Sequence, residues 1–202
     1  MINKLKEQYD SLYSSNEVTF GGGRPIDSVI DLDKYIGSGT VLDIGGGEGR
    51  NAIYLSNKGY DVTVLDISEV GLGKIKKVSE RIKTKVSDVV NDGIDGMYDI
   101  VVNSFVLHHM MEKDAKKVIS DSMSHTNKGG VNIINTFSDD GGLYKRNIDS
   151  ERFYPSEEVL KEIYYEWDIK ELSTRYTTTF AKDKNGERMK NSAVSIIAIK
   201  KN

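Results

Sequence analysis

The most restrictive stretch of this chain is Val41-Leu42-Asp43-Ile44-Gly45-Gly46-Gly47-Glu48-Gly49-Arg50-Asn51. An apolar run carries a carboxylate, enters a glycine-rich turn and leaves it in a helical pattern. Glycines at 45, 47 and 49 let the backbone take positive φ and let a ligand approach the main chain closely. The free N–H groups of the following helix then face whatever binds. Strand, glycine turn and helix in this order predict a cofactor pocket.

The remaining chain supplies a sheet around that turn. Ile2, Leu5, Tyr9, Leu12 and Tyr13 stand at near-helical spacing and predict an amphipathic helix over 2–13. Phe20-Gly21-Gly22-Gly23-Arg24-Pro25 breaks the chain, and Pro25 suits the start of a second helix with Ile26, Val29, Ile30 and Ile36 on its apolar side. A helix over 50–58 ends at the capping glycine Gly59, and Asp61 to Asp66 reads as a β-branched strand buried on both faces. Ser68 caps the next helix, whose first turns Gly71 and Gly73 weaken by about 1 kcal/mol each relative to Ala. Further strands are expected at 85–87, ending at Asp88, at 98–103, with apolar residues continuing to Leu107, and at 131–137. Between the last two lies a helix over 113–124, closed by Asn127-Lys128-Gly129-Gly130.

Strands alternating with helices from 40 to 137 indicate βαβ units and a parallel sheet. The C-terminal third differs. Ser156 caps a helix reaching about Tyr165, and strands near 169–176 and 193–200 flank a turn at Asn185-Gly186 without an intervening helix. The expected fold is α/β: a doubly wound, Rossmann-like sheet of seven strands, mostly parallel, ending in an antiparallel hairpin. One domain is expected over 1–202, with 1–36 as a helical lid or arm and 37–202 as the core.

Composition excludes several classes. A net charge of −3 lacks the basic footprint of a nucleic-acid binder, and Lys74-Ile75-Lys76-Lys77 reads as a solvated helix face. The chain has no cysteine, which excludes disulfides, thiolate metal sites and cysteine nucleophiles. No apolar run approaches the ~20 residues of a membrane span, and no signal-like segment opens the chain. A cytoplasmic protein, monomer or homodimer, without membrane or nucleic-acid partners is expected.

The glycine spacing decides between cofactors. A dinucleotide fingerprint runs G-x-G-x-x-G, but its third glycine position here is Arg50 and the glycine comes one residue early, at Gly49. Asp66 ends the second strand, where a carboxylate accepts from ribose hydroxyls. Asp43, the glycine turn, Asp66 and Asp88 in this order resemble the class I S-adenosylmethionine-dependent methyltransferases over residues 37–137. The resemblance implies S-adenosylmethionine (SAM) as cofactor, with Asp43, Gly45, Gly46, Gly47, Asp66, Ile67, Asp88, Val89 and Asn103 around it and S-adenosylhomocysteine (SAH) as product. It implies Asp66 on the ribose and Asp88 on the adenine.

Glu48-Gly49-Arg50-Asn51-Ala52-Ile53-Tyr54-Leu55, Gly59-Tyr60-Asp61-Val62-Thr63 and the terminal Asp183-Lys184-Asn185-Gly186-Glu187-Arg188-Met189-Lys190 are similar to the tellurite-resistance type of methyltransferase. That subfamily methylates small or soft acceptors such as thiols, selenite and tellurite. Its His-Arg pair falls on Phe180 and Ala181 here, so of its substrate-activating group only Arg188 remains. DNA amino-methyltransferases would show Pro-Pro where Asn103-Ser104-Phe105-Val106 stands, and cytosine-C5 enzymes need a cysteine.

Other candidates keep two readings. Tyr9 and Tyr13, at i and i+4, either close over the cofactor's methionine end or simply pack their helix. His108 and His109 follow the fourth strand, where one can touch substrate or act as a base; His108 is taken with Arg188 as the catalytic candidate. A metal is not expected, His125 being the third and last imidazole. Arg24, Arg146, Arg152 and Tyr154 either face an acceptor or hold surface loops. The expected function is methyl transfer to a small molecule. The alternative is a SAM-binding regulator, or a degenerate methyltransferase without turnover.

Overall fold

The computed structural model describes residues 2–14, 21–146, 151–182 and 186–202, with 146 and 179–182 followed as backbone alone. The chain enters through α1 (Ile2–Tyr13) and α2 (Asp27–Ile30), the latter running into a 3-10 turn over Asp31–Lys34. Then β1 (Thr40–Ile44), α3 (Arg50–Asn57), β2 (Asp61–Asp66), α4 (Glu69–Val78) and β3 (Lys83–Val86) alternate. Next come α5 (Val89–Asp92), β4 (Tyr98–Ser104), α6 (Glu112–Ser124) and β5 (Thr126–Phe137). α7 (Gly142–Arg146), α8 (Glu157–Ile163), β6 (Asp168–Lys182) and β7 (Arg188–Ile199) complete it.

The seven strands form one sheet in the order β3-β2-β1-β4-β5-β7-β6. β1 pairs in parallel with β2 on one side and β4 on the other, and β7 runs antiparallel to both β5 and β6. From β1 the chain winds outward to β2 and β3, then returns to β4 and winds the other way. β1 and β4 therefore flank the switch point, where open α/β sheets place their ligand crevice beyond the carboxyl ends of the strands. The glycine turn leaves β1 at that crevice.

Strand periodicity divides the core. Val41 faces one side with Ala52 and Leu55 of α3, Leu72 and Ile75 of α4, and Val29 and Leu32. Leu42 and Ile44 face the other with Ala115, Val118 and Ile119 of α6, Leu160, Tyr164 and Trp167. Alternation puts Asp43 on the face of Val41, beneath α3 and the glycine turn.

The elements differ from the sequence reading at their ends. β5 starts at Thr126 rather than 131, because Thr126 already pairs with Tyr98 before the register breaks between Tyr98 and Ile100. Gly129 (φ 74) takes up that irregularity inside the strand instead of capping α6. α6 ends without a glycine, the His125 N–H donating to Asp121 O. Pro25 stands outside α2, whose N-cap is Ile26. Both hairpin strands are longer than read, and α7 occupies a stretch read as loop. The turn residue Asn185 and the break residue Phe20 lie outside the described residues. Among the described residues no helix is long and apolar enough to cross a membrane.

Candidate active site

The turn after β1 is shaped by three left-handed glycines, Gly45 (φ 68), Gly47 (φ 56) and Gly49 (φ 83). All three are also hemmed in, Gly49 by Ile75 of α4. A Cβ on Gly45 would stand 2.6 Å from Val106 Cγ2, and one on Gly47 would stand 2.5 Å from Tyr13 Oη. The Gly45 N–H donates to Leu65 O at 2.7 Å, which ties the turn to the end of β2.

Asp66 closes the same corner. Its carboxylate accepts from Gly47 N–H and Ser68 N–H, each at 2.8 Å, and the side chain borders the cavity. Burial raises its pKa, while these two backbone donors act in the opposite sense. A carboxylate offers about four lone-pair sites, so these backbone donors do not exhaust it.

Asp43 lies under the turn, fully buried, with neither carboxylate oxygen bonded to any described group. Oδ2 is 3.0 Å from where a Gly46 Cβ would be. Burial pushes its pKa up to about 7, with the Arg50 charge opposing. Arg50, in the first turn of α3, reaches Ser104 Oγ at 3.5 Å and lies 5.8 Å from the Phe105 ring centroid. The sequence reading used Arg50 to set aside the dinucleotide pattern and to mark a subfamily, not as a site residue. Its place in the first turn after the glycines was the available signal.

α1 docks over this corner. Asp10 accepts from Ser68 Oγ at 2.5 Å, while Ser68 Oγ itself caps α4 by accepting from Gly71 N–H at 3.0 Å. Tyr13 is buried and Tyr9 meets His109, Oη to Nε2, at 2.7 Å. Both tyrosines border the cavity, so the lid and packing readings of this helix coincide. Burial raises the pKa of both phenols, Tyr9 to about 12.

The resulting cavity of about 1680 Å³ runs along the carboxyl ends of β1, β2 and β4. Ligand sites usually measure about 300–1,000 Å³, so it holds room for a cofactor and a second molecule. Gly45, Gly46, Gly47, Asp66, Ile67, Asp88, Val89 and His108 all border it. Asp88 is largely committed to capping α5, accepting from Val90 N–H at 3.2 Å and Asn91 Nδ2 at 2.6 Å.

Three expected site residues stand elsewhere. Asp43 lies beneath the turn rather than on the cavity wall. Asn103 alternates to the other face of β4, where its amide donates to Ser122 Oγ of α6 at 3.2 Å. Arg188 is exposed where β7 begins, whereas among the described residues the cavity touches that hairpin at Thr177 and Ala193. The side chains of Phe180 and Ala181 lie outside the described residues.

At the far end stand His108, His109, Phe105, Phe137 and Arg152. Burial holds both imidazoles neutral, with Arg152 adding to the effect: His109 drops to about 4 and His108 well below its usual value. Both stand near pH 7 as neutral imidazoles of low basicity. Among the described residues no cluster of His, Cys, Asp or Glu is arranged to hold a metal.

This strand order, with a glycine turn at the switch point and an antiparallel last hairpin, is the fold of the SAM-dependent methyltransferases. NodS of Bradyrhizobium japonicum WM9, an N-methyltransferase solved with SAH, superposes with a TM-score of 0.71 at 12% identity, covering 98% of each chain. The chain belongs to the family described as "Tellurite resistance protein TehB", which matches residues 4–197. A relative from Haemophilus influenzae strain 10810, named "Probable S-adenosyl-L-methionine-dependent methyltransferase TehB", is 32% identical over 178 residues, 86% of this chain and 61% of that protein. The chain thus spans about three fifths of that relative's length. The crystal structure of TehB from Haemophilus influenzae superposes with a TM-score of 0.74 at 28% identity, covering 97% of this chain and 67% of that one.

Proposed function

We propose that this chain transfers a methyl group from SAM to a small-molecule acceptor with a soft nucleophile, a thiol or chalcogen oxyanion. The observation that carries the reading is Asp66. Its carboxylate is oriented by the N–H groups of Gly47 and Ser68 and keeps lone pairs toward the cavity. A ribose presents two adjacent hydroxyls that match it. The crowded glycine turn and the unpartnered Asp43 beneath it fit a cationic aminoacyl sulfonium above. Family membership and the cofactor seen with NodS support the same reading.

SAM supplies a methyl group already activated on a sulfonium, so the protein's contribution is positioning and exclusion of water. Asp66 fixes the ribose end. Tyr9 and Tyr13 of α1 cover the turn and shield it from solvent. The histidines present neutral faces to the acceptor and take no proton at pH 7. An acceptor that is already a good nucleophile needs none removed.

The test is calorimetric titration with SAH, followed by assay of SAH release against thiols, selenite and tellurite. Asp66→Ala should weaken SAH binding about 10- to 100-fold, the worth of hydrogen bonds to a charged group, while the fold is kept. Unchanged affinity would overturn the site. Tight SAM binding without SAH release from any acceptor would favour the regulator.

A further inference from the structure

Beyond the glycine turn the cavity ends in a wall of rings with Arg152 beside it. Phe105 and Phe137 stand 5.1 Å apart between centroids, and His108 meets the edge of Phe137 at 4.8 Å. Phe105 is held at φ 56, a left-handed conformation costly for a bulky side chain, while its N–H donates to Asn135 O at 2.6 Å. Strain of this kind persists where the surroundings enforce it and clusters at ligand sites. His108 Nδ1 is buried with no hydrogen-bond partner.

Arg152 is brought to this wall by backbone. Glu112 N–H donates to Glu151 O at 3.0 Å, Phe153 N–H donates to Met110 O at 3.1 Å, and Met111 and Arg152 form an antiparallel bridge between them. The guanidinium makes no ion pair with any described carboxylate. Of the other charges on the cavity, Lys74 pairs with Glu48, Asp66 and Asp88 hold backbone amides, and Arg50 reaches Ser104 Oγ from beside the Phe105 ring. Asp114 borders the cavity from α6, and Lys4 and Lys77 border it from α1 and α4.

We propose that Arg152 is a specificity-determining residue that binds the negative charge of the methyl acceptor, and that the acceptor is a planar aromatic anion, seated against Phe105, Phe137 and His108. The proposal rests on the methyltransferase reading and names its substrate class. A guanidinium suits a flat anion twice over, as a fork of donors and as a plane that stacks on rings. An arenethiolate illustrates the chemistry. Its sulfur lone pair forms the bond to the methyl carbon as the sulfonium's carbon–sulfur bond breaks, with that pair returning to the cofactor sulfur. The two opposite charges vanish, and no proton moves. The neutral state of both histidines agrees with an acceptor that arrives deprotonated.

The probes are 4-nitrothiophenolate and its uncharged analogue 4-nitrotoluene, titrated into the full chain saturated with SAH. The wild type should bind the anion at least about tenfold more tightly, the range of one charge-assisted hydrogen bond. Arg152→Gln should abolish that preference, and Arg152→Lys should restore part of it, with SAH affinity unchanged in both. In turnover with 4-nitrothiophenolate, Arg152→Gln should raise KM about tenfold with kcat nearly constant. Equal binding of the two probes to the wild type, or a preference that survives Arg152→Gln, would overturn the proposal alone. So would selenite binding the SAH-saturated chain as tightly as the aromatic anion. Failure of SAH itself to bind would overturn the methyltransferase reading and the proposal with it.

Discussion

Tyr9 Oη and His109 Nε2 are 2.7 Å apart, although one hundred residues separate them in the chain. The hydrogen bond joins the covering helix α1 to the floor after β4, across the cavity. Tyr9→Phe should remove about 1 kcal/mol of stability, the net worth of one neutral hydrogen bond, and lower the melting temperature by about 2–4 °C. SAH affinity should fall with it, since α1 is then less firmly seated. Melting and binding curves that overlay the wild type would remove the lid function of this contact.

The same imidazole sets an acid limit. Burial lowers the His109 pKa from 6.5 to about 4, so between these values the unfolded chain takes up a proton that the folded chain refuses. Its contribution to stability is complete above pH 6.5 and is lost as pH falls through about 4. His108 acts in the same sense. His109→Gln should flatten the fall in melting temperature over that window. An equally steep fall in the variant would assign the acid sensitivity to other groups.

Gly71 and Gly73 stand in one helix with opposite consequences. A Cβ on Gly71 would meet Gly47 O and Tyr13 Cδ2, both at 2.9 Å, whereas a Cβ on Gly73 meets nothing within 4 Å. Gly73→Ala should stabilise the protein by about 0.5–1 kcal/mol through helix propensity. Gly71→Ala should destabilise it by about 1–3 kcal/mol by forcing α1 off the turn, and SAH affinity should drop. Paired thermal melts decide. A stabilised Gly71→Ala would mean that α1 does not pack there.

These two glycines show where sequence reading stops. Propensity treats both alike, as weak points in α4, because the contact of Gly71 with Tyr13 and Gly47 is non-local. What propensity and periodicity do carry is the alternation of β1, β2 and β4 with α3, α4 and α6, since apolar β-branched runs and caps such as Ser68 are local. The place of Asp66 and the turn glycines on the cavity was legible because it follows from their position at strand ends. Asn103 was misplaced by one step of the β4 pleat, since proximity to a strand end does not fix which face a residue takes. Arg152 kept two readings, facing an acceptor or holding a surface loop. Its bridge to Met111 joins segments 41 positions apart, a pairing no local pattern encodes.

Arg188 offers a test of the subfamily analogy. It is exposed at the start of β7 and does not border the cavity, which meets the described part of the hairpin at Thr177 and Ala193. Arg188→Gln should leave SAH affinity, acceptor KM and kcat within about twofold, as surface substitutions away from a site do. A loss of kcat by an order of magnitude would place the hairpin end in the reaction.

Asp43 works against stability at neutral pH. Sealed under Gly46 without a partner, it has its pKa raised from 3.8 to about 7. The folded chain keeps this proton where the unfolded chain has released it. The contribution to stability is therefore complete below pH 3.8 and disappears as pH rises through about 7. Asp43→Asn, neutral at every pH, should melt with the wild type near pH 4 and above it at pH 8, by up to about 4 kcal/mol at 1.36 kcal/mol per unit. Linkage adds a functional counterpart. A cationic ligand above the turn favours the ionised carboxylate, so SAM should bind the wild type more tightly as pH rises from 6 to 8 and bind the variant with little pH dependence. A variant that melts lower than the wild type at pH 8 would show that the buried carboxylate is compensated in the fold, and that its charge does not await a ligand.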